Sequence, residues 1–352
     1  MAKEKLGVGI VGLGNISDIH AQAIKHSEFG EIVAASSSSE EKLTKFKESY
    51  GGKGYTSYDD FLKDPDLDIV SICTPSGTHL DYGIKAANAG KHVVVEKPIE
   101  VTLERAGELI EACEKNNVRL SVIFQSRFTP DAIRMKEAID NGELGDIFLV
   151  TANLKWYRGP DYFTSAPWRG TYKLDGGGAV INQSIHTIDL LQWFLGDVET
   201  ITAFTGTLTH EGLEAEDNAV AALKFKSGAL GNFTASTSSV PPQPRQIEVH
   251  GTKGTAILED SNFRLVRSEE ELNSDKLKEE AAGGADPLAN LQYDAHRNQF
   301  NEIFKSILDG AENPIDGKEG VRALAFVRAL YTSADTGKPV KLDELISQYI
   351  TS

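Results

Sequence analysis

LGVGIVGLGNIS, residues 6–17, decides how the chain begins. Leu6 to Val11 is a short apolar run broken by glycine, the pattern of a buried strand. Gly12 and Gly14 fill the first two places of a G-x-G-x-x-G turn, and Ser17 takes the third. The first glycine permits a tight turn, and the second lets the backbone approach a pyrophosphate. The helix that follows offers the free N–H groups of its first turn, around Asn15 and Ile16, and the positive end of its dipole. A glycine pair alone is only a flexible turn. Its place between a strand and a helix makes it a candidate dinucleotide cradle.

Outward from this turn, strands and helices alternate. A helix over Asn15 to Lys25 leads to a strand at Ile32 to Ala35 and a helix over EEKLTKFKESY capped by Ser39. Asp68 to Thr74 reads as a third strand, Ser76 to Ala89 as a helix, HVVVEKP as a fourth strand, Thr102 to Asn116 as a helix and RLSVIF as a last strand. Such alternation predicts an α/β fold with a doubly wound parallel sheet, a Rossmann domain. The second strand should end in an acid if the cofactor ribose carries a free 2′-hydroxyl. Ser36, Ser37, Ser38 and Ser39 stand there instead, with Lys42 a turn away. No carboxylate repels a 2′-phosphate and no arginine binds one, so NAD and NADP both stay open with a slight lean to NADP.

Beyond about residue 126 the pattern changes. Pro130 to Asn141 reads as a helix, IFLVTANLKW as a long strand, and Gly178 to Leu195 as an apolar helix. ETITAFTGTL, AVAALKF, ALGNFTAST, QIEVHG and TAILED then follow as strands without helices between them. This predicts an α+β domain with a large open, mostly antiparallel sheet. Ser268 to Asp286 reads as a surface excursion, and two helices, at about 290–308 and 317–333, close the chain. The division expected is a dinucleotide-binding domain at 1–125 and a substrate-binding and oligomerisation domain at 126–352.

The bulk properties agree with two domains, since 352 residues exceed one ordinary core. The formal net charge of -16 disfavours a general nucleic-acid binder. Cys73 and Cys113 are too few for a disulfide framework, and clustered Cys and His of a metal site are absent from the sequence. The opening residues run into a strand without an apolar signal core, and the chain offers no spanning apolar run. A cytoplasmic enzyme without membrane contact is the expectation.

Glu96, Lys97 and Pro98 end the HVVVEKP strand, on the side where open α/β sheets bind ligands. A lone lysine there would ordinarily be a solvated strand end. Together, GLGNIS, CTPSGTH, EKP and the glycine-led segment DGGGAVINQSIHTIDLLQWFLG resemble the glucose–fructose oxidoreductase and inositol dehydrogenase (Gfo/Idh/MocA) family from Lys5 to about Ser333. The resemblance implies a Rossmann domain, then a substrate domain whose open sheet commonly forms a homodimer or homotetramer interface. It implies hydride transfer between NAD or NADP and a CH–OH or C=O group of a sugar, cyclitol or sugar nucleotide. It makes Lys97 the catalytic lysine, with Glu96 and Pro98 on the nicotinamide side. Thr74, Pro75 and His79 match the loop that packs along the cofactor, although His79 equally suits a packed helix start.

In the same family an aspartate and a histidine four residues apart complete the site. His186 matches the histidine, while Asn182 replaces the aspartate. An amide hydrogen-bonds a hydroxyl but takes up no proton at neutral pH. His186, with an ordinary pKa of about 6.5, suits loss or gain of the alcohol proton, and Lys97 suits the same oxygen. Without the resemblance, His186 would read as a core histidine satisfied by a neighbour such as Asp189. Trp168 and Arg169 resemble the family loop that reaches toward the cofactor; Arg169 otherwise reads as a surface arginine. Gln125 and Arg127 border the nicotinamide end, Tyr157, Arg158 and Tyr162 suit a sugar-binding wall, and Tyr293 and His296 open a late helix. Two alternatives stand beside the dehydrogenase: an enzyme that uses tightly bound NAD transiently for a net non-redox reaction, and a non-catalytic dinucleotide sensor.

Overall fold

The computed structural model describes residues 4–267 and 293–349, so the expected excursion at Ser268 to Asp286 lies outside the described residues. The chain separates into two compact units. One holds the chain up to Phe128 and the later stretch ending at Val321; the other begins at Thr129 and resumes at Arg322.

The first unit is built from Leu6–Val11 (β1), Asn15–Lys25 (α1), Gly30–Ser36 (β2), Glu40–Tyr50 (α2), Lys53–Tyr55 (β3), Tyr58–Phe61 (α3), Ile69–Ile72 (β4), His79–Asn88 (α4), His92–Val95 (β5), Leu103–Lys115 (α5) and Leu120–Val122 (β6). The six strands run parallel in the order β3-β2-β1-β4-β5-β6. Strand order reverses between β1 and β4, which opens a crevice at their carboxyl ends. Val8, Ile10, Ile69, Ile72 and Val95 are fully buried, each side chain contributing about 1.5–3 kcal/mol through burial. Ser39, Ser57 and Thr102 accept backbone N–H bonds at the starts of α2, α3 and α5, worth about 1 kcal/mol each.

Two sequence readings need correction here. The short β3 and α3 were not expected, because Lys53–Tyr55 carries a glycine and too few apolar residues to show a strand period. Lys97 therefore follows the fifth strand of the sheet. The late helix, Asp294–Asp309, packs in the first unit, where Phe300, Ile303 and Phe304 join Val8, Ala21 and Ile24 in one core.

The second unit holds Pro130–Asp140 (α6), Ile147–Lys155 (β7), Pro160–Thr164 (α7), Ile185–Leu195 (α8), Val198–Gly206 (β8), Asn218–Phe225 (β9), Leu230–Ser236 (β10), Gln246–Gly251 (β11), Gly254–Glu259 (β12), Asn262–Val266 (β13) and Val340–Lys341 (β14). They form one sheet, β13-β12-β11-β7-β10-β9-β8-β14. It is antiparallel throughout except for the parallel β7–β10 pair, so the open sheet is mixed. One face is covered, with Phe233 of β10 edge-on to Phe326 at 5.4 Å between ring centres. Residues of β9 alternate buried and exposed, as a half-covered sheet requires.

The expected continuous helix from Gly178 to Leu195 is divided. Ala179–Gln183 forms a π-helical turn, and α8 starts only at Ile185. A buried acid holds the start of this turn: Glu216 accepts the N–H groups of Gly178 and Val180 at 3.1 and 2.8 Å. Ser184 N–H then bonds back to Ala179 O and Val180 O at 3.1 and 3.2 Å, closing a wide turn.

Candidate functional site

In the first unit the glycine turn sits at the crevice. Gly12 has φ +88°, and a Cβ there would lie 2.8 Å from the Cys73 backbone. Gly14 is the residue before α1, and a Cβ on it would meet nothing within 4 Å. No side chain caps α1, so its first turn keeps N–H groups and the positive helix end for a ligand. That is a cradle shaped for a diphosphate, and the residues present fit a dinucleotide. Ser36 is buried and its carbonyl accepts Gly12 N–H at 3.2 Å. Ser37 Oγ accepts Ser39 N–H and Ser39 Oγ accepts Lys42 N–H, so two of the four serines brace the start of α2; Ser38 is exposed.

Thr74 and Pro75 follow β4 across the crevice. Thr78 Oγ1 donates to Thr74 Oγ1 at 2.8 Å. His79 is fully buried, its ring nitrogens 3.0 Å from Pro98 O and 3.1 Å from Thr74 O. It thereby ties the loop after β4 to the loop after β5. Gln125 Oε1 is buried and has no hydrogen-bond partner among the described residues. Arg127 is buried and donates to Glu319 Oε2 at 2.9 Å. Lys97 is half-buried at the end of β5.

Beside Lys97, Glu96 and His296 join a third residue that the sequence did not mark, His20. His20 of α1 is fully buried; its Nε2 is 2.7 Å from Glu96 Oε1 and its Nδ1 is 2.8 Å from Ser71 Oγ. Burial depresses the His20 pKa, but Cys73 and Glu96 alongside outweigh it and raise it to about 10. Burial pushes Glu96 up, and the His20 hydrogen bond and charge more than reverse this, bringing it to about 2. Both directions describe an imidazolium–carboxylate pair. His296 lies beside it, its ring centre 5.6 Å from that of His20. Burial and the His20 charge push its pKa down to about 3. Nothing in the sequence periodicity marks this trio, because its members lie 76 and 200 residues apart along the chain (96 − 20 and 296 − 96).

In the second unit Asn182 sits on the π-helical turn and His186 in the first turn of α8. Asn182 Nδ2 donates to Asp175 Oδ1, and Asp175 Oδ2 accepts Gly170 N–H at 2.8 Å. Gln183 Nε2 donates to Asn182 Oδ1 at 2.7 Å and to Tyr162 Oη at 2.8 Å. Arg158 donates through Nε and Nη2 to Gln183 Oε1 at 3.0 and 2.9 Å. The Arg158 guanidinium lies 5.1 Å from the Tyr162 ring, whose other neighbour is the Arg169 guanidinium at 4.2 Å; Arg169 is also 4.7 Å from the Trp168 ring. Tyr157 is 47% exposed, and its backbone bridges Ser238. Gln183 was missed because its neighbours in sequence claimed the face; Glu216 was missed because an acid in EAEDNAV reads as a loop charge. Burial raises the Glu216 pKa to about 7 despite the N–H donors of Gly178 and Val180 and the Tyr331 hydroxyl at 2.9 Å.

The two units match two halves of one family. Residues 6–124 match the family described as "Oxidoreductase family, NAD-binding Rossmann fold". Residues 132–257 match the "GFO/IDH/MocA C-terminal domain". The chain belongs to the Gfo/Idh/MocA family. It is 30% identical over 346 residues to myo-inositol 2-dehydrogenase of Thermotoga maritima, covering 96% of this chain and 99% of that one. It is 28% identical to 1,5-anhydro-D-fructose reductase of Ensifer adhaerens, covering 95% and 98% of the two chains. Among solved structures, the WlbA dehydrogenase of Bordetella pertussis, in complex with NADH and UDP-GlcNAcA, superposes with a TM-score of 0.86 at 32% identity, covering 97% of this chain and 99% of that one. As a Gfo/Idh/MocA member this protein is an NAD(P)-dependent oxidoreductase with a Rossmann cofactor domain.

Proposed function

We propose that this protein moves a hydride between NAD(P) and a secondary alcohol or ketone of a sugar, cyclitol or sugar nucleotide. The observation that carries the reading is the uncapped α1 start with open space over Gly14, with Lys97 at the end of a strand in the same sheet. The nicotinamide ring supplies the hydride acceptor or donor when bound. In our reading Gly12, Gly14, Asn15 and Ile16 hold the diphosphate, and Ser36, Ser37 and Ser38 meet the adenine ribose. Thr74, Pro75, His79, Glu96, Pro98 and Gln125 line the dinucleotide, with Trp168 and Arg169 reaching it. Lys97 hydrogen-bonds the reacting oxygen and favours negative charge on it. His186 takes up or returns the alcohol proton. Asn182, fixed by Asp175 and Gln183, hydrogen-bonds a hydroxyl and carries no proton; Arg127 and Tyr157 complete the substrate contacts. The first unit, including the helix at 294–309, serves the cofactor, and the second unit serves the substrate and self-association. With serines rather than an acid at the end of β2, NADP is favoured slightly over NAD.

Self-association is proposed through the uncovered sheet face. Phe204 of β8 pairs across to Val220 of β9, and Leu230 of β10 across to Leu149 of β7. Phe204 is 71% exposed, and two such apolar pairs on one sheet face are costly to leave in water. The reading places the enzyme in the cytoplasm, without nucleic-acid partners, in keeping with its net charge of -16; among the described residues no helix is long and apolar enough to cross a membrane.

The test is the absorbance of reduced nicotinamide with NAD or NADP and a panel of sugars, cyclitols, sugar acids and nucleotide sugars, run beside Lys97→Met. A rise with one substrate class that is lost in the variant is expected. Equal rates in Lys97→Met would remove the lysine from the mechanism.

A further inference from the structure

Three segments assigned above to the dinucleotide and the reacting oxygen meet at one buried side chain. His20 belongs to α1, the helix that starts at the glycine turn. Its Nδ1 faces Ser71 of β4 at 2.8 Å, with Cys73 Sγ at 3.4 Å. Its Nε2 faces Glu96 at 2.7 Å, and the other Glu96 oxygen accepts the backbone N–H of Lys97 at 3.2 Å. The ligand atoms of His20, Glu96 and His296 all lie within 4.8 Å of one another, a set that resembles a metal site by residue type. Both His20 nitrogens, however, are already within hydrogen-bond distance of Ser71 and Glu96, so the cluster works as a hydrogen-bonded pair. A carboxylate 6% exposed is stable only with such a partner. Once paired, it cannot turn away without losing that partner, and the Lys97 backbone it holds is fixed with it.

We propose that His20 is a positioning residue for Lys97: it locks the Glu96 carboxylate, and through it the Lys97 backbone, to α1 and β4. The proposal rests on the role of Lys97 given above. His20 touches neither substrate nor cofactor; it sets where the lysine stands when both arrive. A lysine displaced by about 1 Å loses on the order of 10²-fold in rate, while dinucleotide binding, which rests on the glycine turn, is spared. The titratable groups that face the pair are Cys73, Lys97 and His296. Removing the His20 charge leaves Lys97 next to an uncompensated carboxylate; removing the carboxylate does the opposite.

The experiment compares His20→Gln, Glu96→Gln, the double variant and Lys97→Met. Turnover is measured at saturating substrate, cofactor affinity by NADH or NADPH fluorescence, and the Lys97 amine titration by mass spectrometry after brief acetylation of the cofactor-free protein across pH. His20→Gln is expected to lower kcat by about 10- to 100-fold with cofactor Kd within about 3-fold. Its Lys97 titration moves up in pH and that of Glu96→Gln moves down, and the double variant is no slower than the slower single one. A His20→Gln enzyme within about 3-fold of the parent in kcat overturns the proposal, as do parallel losses of kcat and cofactor affinity or titration shifts of one sign. If His20→Gln does not fold, Ser71→Ala, which removes only the hydroxyl at the far ring nitrogen, is judged by the same criteria. An active Lys97→Met protein sinks the lysine reading itself, whereas an inactive one beside a fully active His20→Gln sinks only the positioning role.

Discussion

His186 and Glu216 show how differently two single residues bear on function. If His186 carries the alcohol proton, His186→Ala lowers turnover by about 10²–10⁴ while NADH or NADPH binding, measured by fluorescence, stays unchanged; normal turnover would remove it from the chemistry. Glu216 acts instead on the backbone that presents Asn182. Its acceptor bonds to Gly178, Val180 and Tyr331 use both carboxylate oxygens. Glu216→Gln points an amide N–H₂ at one of those donors, which costs about 1–3 kcal/mol. Its raised pKa adds a pH signature. Between the ordinary carboxylate value and about 7 the folded state keeps a proton that the unfolded chain has lost, so stability falls as pH rises through that window. The melting-temperature difference between the parent and Glu216→Gln is expected to shift against the parent as pH rises from 4.5 to about 7, and a constant difference would sink this role.

At the scale of elements, the two glycines at the β1–α1 turn serve separate ends. Gly12 answers to the fold: φ is +88° and the Cys73 backbone is in the way, so Gly12→Ala costs on the order of 1–3 kcal/mol and lowers the melting temperature before any ligand is added. Gly14 answers to the ligand: its φ of -105° suits alanine and its Cβ would meet no protein atom. Gly14→Ala is expected to melt with the parent yet bind NAD(P)H more weakly, and unchanged affinity would argue against a diphosphate over that residue. The exposed apolar pairs on the uncovered sheet face are likewise an element-scale feature. Phe204→Asp with Val220→Asp puts two carboxylates opposite each other across β8 and β9. Analytical ultracentrifugation is expected to show a smaller species than the parent; an unchanged mass would place self-association elsewhere or nowhere.

For the whole molecule, buried titratable groups confine stability to a pH range. His20, raised to about 10, contributes fully below its unfolded value of ~6.5 and less as pH rises toward 10. Glu96, lowered to about 2, contributes above its unfolded value and is lost as pH falls. His296, buried neutral with a pKa of about 3, contributes above ~6.5 and is lost as acid forces a proton on it. The -16 net charge adds self-repulsion on the alkaline side. Maximal thermal stability is therefore expected near pH ~6–7, with His20→Gln flattening the alkaline decline in a melting series.

The sequence by itself determined the Rossmann half almost element by element. Leu6–Val11, the glycine turn and the caps at Ser39 and Thr102 act locally: side-chain period, backbone freedom and capping atoms lie within a few residues of the structure they produce. The alternating strands from Val198 to Glu259 were legible for the same reason, and EKP and INQSIH stood out through their resemblance to a family. Only the tertiary structure decided what depends on distant partners. The parallel β7–β10 pair breaks an otherwise antiparallel sheet, a π-helical turn held at its start by Glu216 stands where apolar periodicity read one helix, and the helix at 294–309 supplies Phe300 and Phe304 to the first core. The His20–Glu96–His296 group is the extreme case, since burial joins three polar residues distant in sequence into one electrostatic unit, and burial is a property of the folded chain.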